Sequence, residues 1–443
     1  QRARQRARNA HRHHSRRGCL WFARANYSAS YLCIFENALA AVGVGLSFVQ
    51  RVNPAWFLAG AAFFLPIKPA PVNLFLALAC LFALLNPEIR RSIGRFFSRK
   101  ELIPLWLLLG FLAITFVYPS NNESSYLEFI SKYGRLLLVP VLAGILVVPE
   151  NRSLVGKGFL GGMAVVLVLS YAIWLGVDPS YFGAKATDMY AIPSNPTVFK
   201  SHITHNFFLV VAIYLWIVAF KESTNQSSKL LYAGLTLVAL GNLFGMIDGR
   251  TGWLVFMVIP LYLGYQKLGF KGCVIAGLAF VVLLVAAYFL IDNVHDRFST
   301  TWLEIQQVLQ DKPQQGTSIG ERVMYLTASW SAFLEAPLIG YGLGGVQGAV
   351  QPFTSAAGWP TFYNPHNQFL MLMLQGGLLA LILYAWFFGL AVYRSSQVTW
   401  TSHYILPVLL IYFVGNLLNS FHFDFAESVG FVLVYSAFLG STK

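Results

Sequence analysis

The stretch GCVIAGLAFVVLLVAAYFLI, residues 272–291, holds no charged side chain and no proline over 20 positions. A helix rises 1.5 Å per residue, so this run reaches about 30 Å, the thickness of a bilayer's hydrocarbon layer. Its apolar residues are continuous rather than alternating with polar ones, the pattern of a membrane helix and not of a barrel strand. Similar runs precede it at 31–49, 54–85, 102–118, 134–149, 158–178, 203–220, 230–247 and 253–268, and follow it at 366–391, 404–421 and 425–440. The run 54–85 is interrupted by Pro66, Pro69 and Pro71 and reads as one broken span that could include a re-entrant piece. Composition agrees: of 443 residues 56% are hydrophobic and 11% charged, whereas soluble domains are about 25% charged. A soluble multidomain enzyme is excluded. The expected fold class is an all-α polytopic integral membrane protein with about 12 transmembrane helices.

Charge orients the spans. Arg90, Arg91, Arg95, Arg99 and Lys100 mark a cytoplasmic loop, and Arg152, Lys157, Lys221, Lys229, Lys267, Lys271 and Arg394 fall in loops that the same count places inside. Both ends are then cytoplasmic. Eight arginines lie in the first 30 residues with no acid among them, and without these eight the formal charge of +13 falls to +5. The basicity therefore points to membrane lipids and to no nucleic-acid partner. The expected organisation is a basic, disordered cytoplasmic arm at 1–30, membrane helices one to nine at 31–291, a large loop at 292–365 and helices ten to twelve at 366–443. No cleavable signal sequence is expected, because the first apolar run reads as a retained span. Cys19, Cys33, Cys80 and Cys273 fall in the arm or in spans, so neither a disulfide framework nor a zinc site is expected.

The large outer loop has helical signals of its own. Phe298, Trp302, Ile305 and Leu309 recur at helical spacing against Glu304, Gln306, Gln307 and Gln310, so 297–310 reads as an interfacial amphipathic helix with the latter on its polar face. Ser318 and Glu321 fit a capping box opening a helix that carries Val323, Leu326, Trp330 and Phe333 and stops before Pro337. Gly340-Tyr-Gly342-Leu-Gly344-Gly345 follows no strand and reads as a flexible turn rather than a dinucleotide loop. There is no Walker A loop and no paired aspartates for a metal-bound diphosphate, so no cofactor and no metal are expected and any substrate must arrive already activated.

Three polar residues converge on the outer face by topology alone. Arg250 lies in a tight turn between spans and Arg322 just inside the capped helix. His366 opens a span behind Asn364 as cap and Pro365 at the first helical position. In that position the helix's positive end would depress the imidazole pKa and favour a neutral, proton-accepting ring. Unpaired amides at the helix start, with two arginines, would form a phosphate site. Each residue also has a plain reading: Arg250 as a lipid-headgroup anchor, Arg322 as a solvated helix residue, His366 as a cap partner. Lys200, His205 and Asn367 sit at the mouths of spans and are further candidates for substrate contact, or members of an interfacial polar belt. Asp424 and His422 share a tight outer turn and are expected to pair with each other.

At these residues the sequence resembles the O-antigen ligases of Gram-negative bacteria, within the O-antigen ligase/polymerase superfamily. Arg250-Thr-Gly-Trp-Leu254 fits the family's Arg, three residues, Leu pattern, and His366 with Gly377 fits its His, ten residues, Gly pattern. Gly320-Glu321-Arg322 ahead of Pro337-Leu-Ile-Gly340 resembles the intervening loop. A spacing of eleven residues is three helical turns, which would put His366 and Gly377 on one helix face. The resemblance implies an inner-membrane glycosyltransferase with a periplasmic active site. It would move O-antigen polysaccharide from undecaprenyl diphosphate to a sugar hydroxyl of lipid A–core, with Arg250 and Arg322 on the diphosphate and His366 as base or as leaving-group partner. An O-antigen polymerase, a protein O-oligosaccharyltransferase and, from another class, a lipid or solute transporter are the rival readings.

Overall fold

In hydrocarbon a backbone must bond to itself, and this chain does so by helix almost throughout. A computed structural model describes residues 52–119, 122–187, 190–310 and 314–442. The basic arm at 1–30 and the expected span at 31–49 lie outside these residues. The helices are α1 (Ala55–Phe64), α2 (Pro69–Leu85), α3 (Pro87–Phe97), α4 (Ile103–Ile114), α5 (Glu123–Gly134), α6 (Val139–Leu146), α7 (Pro149–Trp174), α8 (His202–Glu222), α9 (Gln226–Gly245), α10 (Arg250–Phe256), α11 (Val258–Leu290), α12 (Asp292–Leu309), α13 (Ser318–Glu335), α14 (Val346–Ala356), α15 (Gln368–Gln397), α16 (Thr399–Tyr404), α17 (Leu406–Leu418) and α18 (Phe425–Ser441). Among the described residues seven helical segments are long and apolar enough to cross a membrane, or up to eight if one bent pair is a single span. The chain is an all-α polytopic membrane protein.

One of the expected spans takes a different form. The stretch 54–85 is not one broken span: α1 and α2 pack side by side, with Phe64 stacked on Phe75 at 5.7 Å and the turn built on Pro66. The expected pair at 253–268 and 272–291 lies in one 41-residue helical segment, Arg250–Leu290, which folds back between the two at Gly269, whose φ is +59°. A Cβ on Gly264 would lie 2.4 Å from the Gly272 carbonyl oxygen, so the two arms of the hairpin touch backbone to backbone. The same device joins α1 to α7, where Cβ atoms on Gly158 and Gly162 would meet the carbonyl oxygens of Ala59 and Phe63 at 2.3 and 2.1 Å.

α8 and α18 form the centre. Phe207, Trp216, Phe431 and Phe438 are fully buried there, as expected of helices that are apolar all round. α11 lies at the margin with Val282, Leu283, Phe289 and Leu290 exposed, a face suited to lipid and not to water.

One irregularity ties the helices that matter for the site. α15 is interrupted at Gly376 (φ −145°) and Gly377 (φ +61°), which frees backbone groups inside the bundle. The segment after α13 fills the break: Tyr341 and Gly342 donate to the carbonyls of Leu374 and Gln375, while Leu378 and Leu379 donate to Pro337 and Leu338. Irregular backbone at this depth is tolerable only when satisfied in this way. The glycines are required by proximity, since a Cβ on Gly377 would sit 2.3 Å from the Leu338 carbonyl carbon and one on Gly340 2.6 Å from the Leu374 oxygen. The glycine-rich segment is thus not a flexible turn, and His366 and Gly377 do not share the face of one continuous helix.

Candidate active site

The turn Ile247-Asp248-Gly249 delivers Arg250 to the start of α10. Gly249 and Gly252 press on Asn206 of α8, where added Cβ atoms would lie 2.2 and 2.6 Å from its side chain, and Asn206 donates to the Gly249 carbonyl at 3.3 Å. From there the Arg250 guanidinium reaches across to α12, bonding Thr301 and the Glu304 carboxylate at 3.3 Å. Glu304 was expected on a solvated face, yet it is only 8% exposed. Its Oε2 also accepts the Ile319 amide at 3.0 Å, so one carboxylate occupies both a helix N-terminus and an arginine.

Arg322, one turn into α13, donates to the Thr251 hydroxyl at 3.0 Å and therefore lies beside Arg250. Among the described residues it makes no ion pair. Burial lowers its pKa from the usual guanidinium value, Arg250 adds to that and Glu304 opposes both. Arg297 of α12 pairs with Asp248, its Nε donating at 3.0 Å. Three arginines thus meet two carboxylates, leaving a surplus of positive charge that an anion would relieve. The cap of α13 is Thr317, whose hydroxyl accepts from Gly320 at 3.2 Å, and not the expected Ser318–Glu321 box.

His366 does not open α15. Asn367 is the cap, accepting the amides of Phe369 and Leu370 at 2.9 and 3.0 Å, so the helix-start amides expected to be free are taken. His366 stands before the cap with φ +49°, its amide bonded to Asn364 at 3.0 Å. Its Nδ1 faces the Asn419 Oδ1 at 2.9 Å, and its ring lies 5.5 Å from that of Tyr325. Tyr325 is three residues beyond Arg322 on α13, so this ring contact brings the histidine to the cationic corner. Asn419 donates in turn to Asp424 Oδ2 at 3.1 Å. Asp424 and His422 do not pair: His422 points inward to the Tyr384 hydroxyl at 2.7 Å.

The remaining candidates separate. Asn367 is spent on its cap and on the Leu417 carbonyl, and His205 is buried against Asn242 at 3.0 Å. Lys200 is half-buried; burial lowers its pKa and Glu427 opposes the shift. His202, one turn before Asn206, lies within electrostatic reach of Asp248, Arg297, Arg322 and Arg250. Sequence reasoning overlooked Glu304, Arg297, Tyr325 and Asn419; only pairing across distant segments identifies them. A cavity of about 140 Å³ lies elsewhere, among Phe159, Phe208, Val408, Tyr412 and Leu433, and none of Arg250, Arg322 and His366 lines it. Among the described residues no three His, Cys, Asp or Glu side chains group as metal ligands would.

Helical bundle and membrane-facing apolar surface define a multi-pass membrane protein, with a cationic corner beside a histidine. Residues 235–385 match the family model described as O-antigen ligase, so this segment is similar to that family. The match contains Arg250, Glu304, Arg322, Tyr325 and His366, whereas Asn419 and Asp424 lie beyond it. A comparison with curated proteins finds no match.

Proposed function

We propose that this protein transfers O-antigen polysaccharide from undecaprenyl diphosphate to a hydroxyl of lipid A–core, at a site on the periplasmic face of the bacterial inner membrane. The observation that supports the reading is the contact of Arg322 with Thr251, next to Arg250, and of Tyr325 with His366, which gathers two arginines and an imidazole in one region. A sugar diphosphate is already activated, so the reaction needs charge stabilisation and a proton acceptor. Arg322 and Arg250 hold the diphosphate oxygens, where negative charge grows as the anomeric C–O bond breaks. The acceptor oxygen forms the new bond to that carbon from the opposite side. His366 takes the hydroxyl proton, and the bonding pair leaves with the diphosphate. One displacement inverts the anomeric centre, and arginines can do this work without a metal.

The test is reconstitution of purified protein with lipid-linked glycan and lipid A–core, without nucleotide, followed by detection of the conjugate. Conjugate formation that depends on lipid A–core supports the ligase. Lengthened lipid-linked glycan in its place identifies a polymerase of the same superfamily, and no product from either acceptor overturns the proposal.

A further inference from the structure

Which nitrogen of His366 carries the proton decides whether the ring can accept one from a sugar hydroxyl. Nδ1 faces the Asn419 side chain at 2.9 Å, and an asparagine amide can present either a donor or an acceptor. At its other end Asn419 meets Asp424 Oδ2 at 3.1 Å, and a carboxylate only accepts. The NH₂ group must therefore face Asp424 and the carbonyl must face His366. The Ser420 amide donates to the same Asn419 oxygen at 2.9 Å, which fixes the orientation a second time. A carbonyl opposite Nδ1 requires a hydrogen there, so the lone pair of the neutral ring is on Nε2.

We propose that Asp424, acting through the Asn419 amide, is the positioning residue that holds His366 in the Nδ1–H tautomer and leaves Nε2 to receive the acceptor's proton. This rests on the reading of His366 as proton acceptor. The carboxylate keeps its charge throughout: it touches neither sugar nor ring, and no proton moves to it. The neutral amide between them passes on orientation and a dipole rather than a full charge. Asn419 is 5% exposed, so water cannot easily substitute for either of its bonds. The groups that bear on Asp424 are His366, Lys132, Arg135 and Asn419, with Glu427 one turn on. Burial raises the Asp424 pKa above the ordinary carboxylate range, and His366, Lys132, Asn419 and Arg135 each oppose the rise.

That rise gives the proposal a distinctive signature. A carboxyl whose folded pKa is raised contributes stability below its unfolded pKa and loses it as pH climbs through the folded value. Asp424→Asn removes this titration, so the variant's stability relative to wild type should improve as pH rises to neutrality. Its function should worsen. With only the Ser420 amide left to orient it, the Asn419 amide turns more freely and the ring populates both tautomers.

The experiment uses the full chain in nanodiscs with ¹⁵N-labelled histidine, His366 being assigned by subtraction with His366→Gln. Wild type should show Nδ1–H at neutral pH. Asp424→Asn should show a mixture, with kcat down by about ten- to a hundred-fold, short of the roughly 10⁴ seen when a carboxylate bonds the imidazole directly. KM for the lipid-linked donor should stay within about twofold, because binding is unaffected when only transition-state help is lost. Asp424→Glu should recover part of the rate. An unchanged tautomer in Asp424→Asn overturns the proposal, as does a lowered thermal midpoint with normal kcat per folded molecule. A shifted tautomer with unchanged kcat leaves the relay standing and removes His366 as the proton acceptor, which separates failure of this inference from failure of the functional reading.

Discussion

The cationic corner and the histidine corner are joined by the first two turns of α13, yet they are assembled on opposite terms. Around Arg250 and Arg297, charges meet opposite charges directly, through Glu304 and Asp248, and Arg322 is left over. Around His366 the nearest carboxylate is kept at one remove by a neutral amide. Direct ion pairs are exchangeable, since an incoming diphosphate can take over the donors that a resident carboxylate occupies. A hydrogen-bonded relay is not exchangeable, because each of its atoms determines the next. The first corner is suited to binding and releasing an anion, the second to keeping one ring in one state.

The largest test of this contrast is His366→Ala. Loss of a proton acceptor should lower turnover by about 10²- to 10⁴-fold. The half-buried ring contacts Tyr325 and Asn419 and little of the core, so thermal stability should hold. Turnover near wild type would remove the histidine corner from the mechanism.

The arginines should follow, and should differ from each other. Arg322→Ala removes an unpaired cation and should weaken donor binding or rate by roughly ten- to a hundred-fold, the worth of one charge-assisted bond. Arg322→Lys should recover little, for a compact ammonium cannot reproduce forked contacts to phosphate oxygens. Arg250→Ala should cost activity and also lower the thermal midpoint, because it strands Glu304 among buried neighbours. Undecaprenyl diphosphate titrations beside thermal melts would measure both, and equal behaviour of the two arginines would break the distinction drawn between them.

Glu304→Gln is subtler. The amide keeps an acceptor for Ile319 but gives up the charge that competes for Arg250, so diphosphate should bind about two- to fivefold more tightly, the scale of one modest ion pair. Weaker binding would mean that Glu304 aligns Arg250 rather than competing for it. Last in size, chelation should leave transfer unchanged, and activity lost in EDTA and restored by magnesium or manganese would return attention to Asp248, Glu321 and Asp424.

The membrane helices were legible because an unbroken apolar run has few alternatives, as 272–291 shows. What escaped reading was decided by contacts between distant segments. Glu304 sits where helical periodicity places a solvated residue, and becomes buried only because Arg250 and Ile319 arrive from either side. Asn364 and Asn367 are both capable caps, and the sequence offers no ground for preferring the second. The break at Gly377 depends on a backbone segment some forty residues earlier coming to fill it. Arg250, Arg322 and His366 could be named because topology put them at one end of the bundle; their partners could not, since asparagine and tyrosine carry no comparable signal.

The insertion of Pro337–Gly342 into α15 makes α13 and α15 the tines of a fork. Their common root is a set of backbone hydrogen bonds, and near the free ends stand Arg322 and His366. Side-chain substitutions other than at its glycines leave such a root unaltered, so under the proposed function the gap between the tines would set the diphosphate-to-hydroxyl distance. Any opening at the site must therefore come from elements outside the fork; α12 is one of them, closing over Arg250 through Glu304 and tied to α13 by the Ile319 amide. Bulk added at Gly377 would act at the root, well away from His366, and would spread the tines without touching either tip.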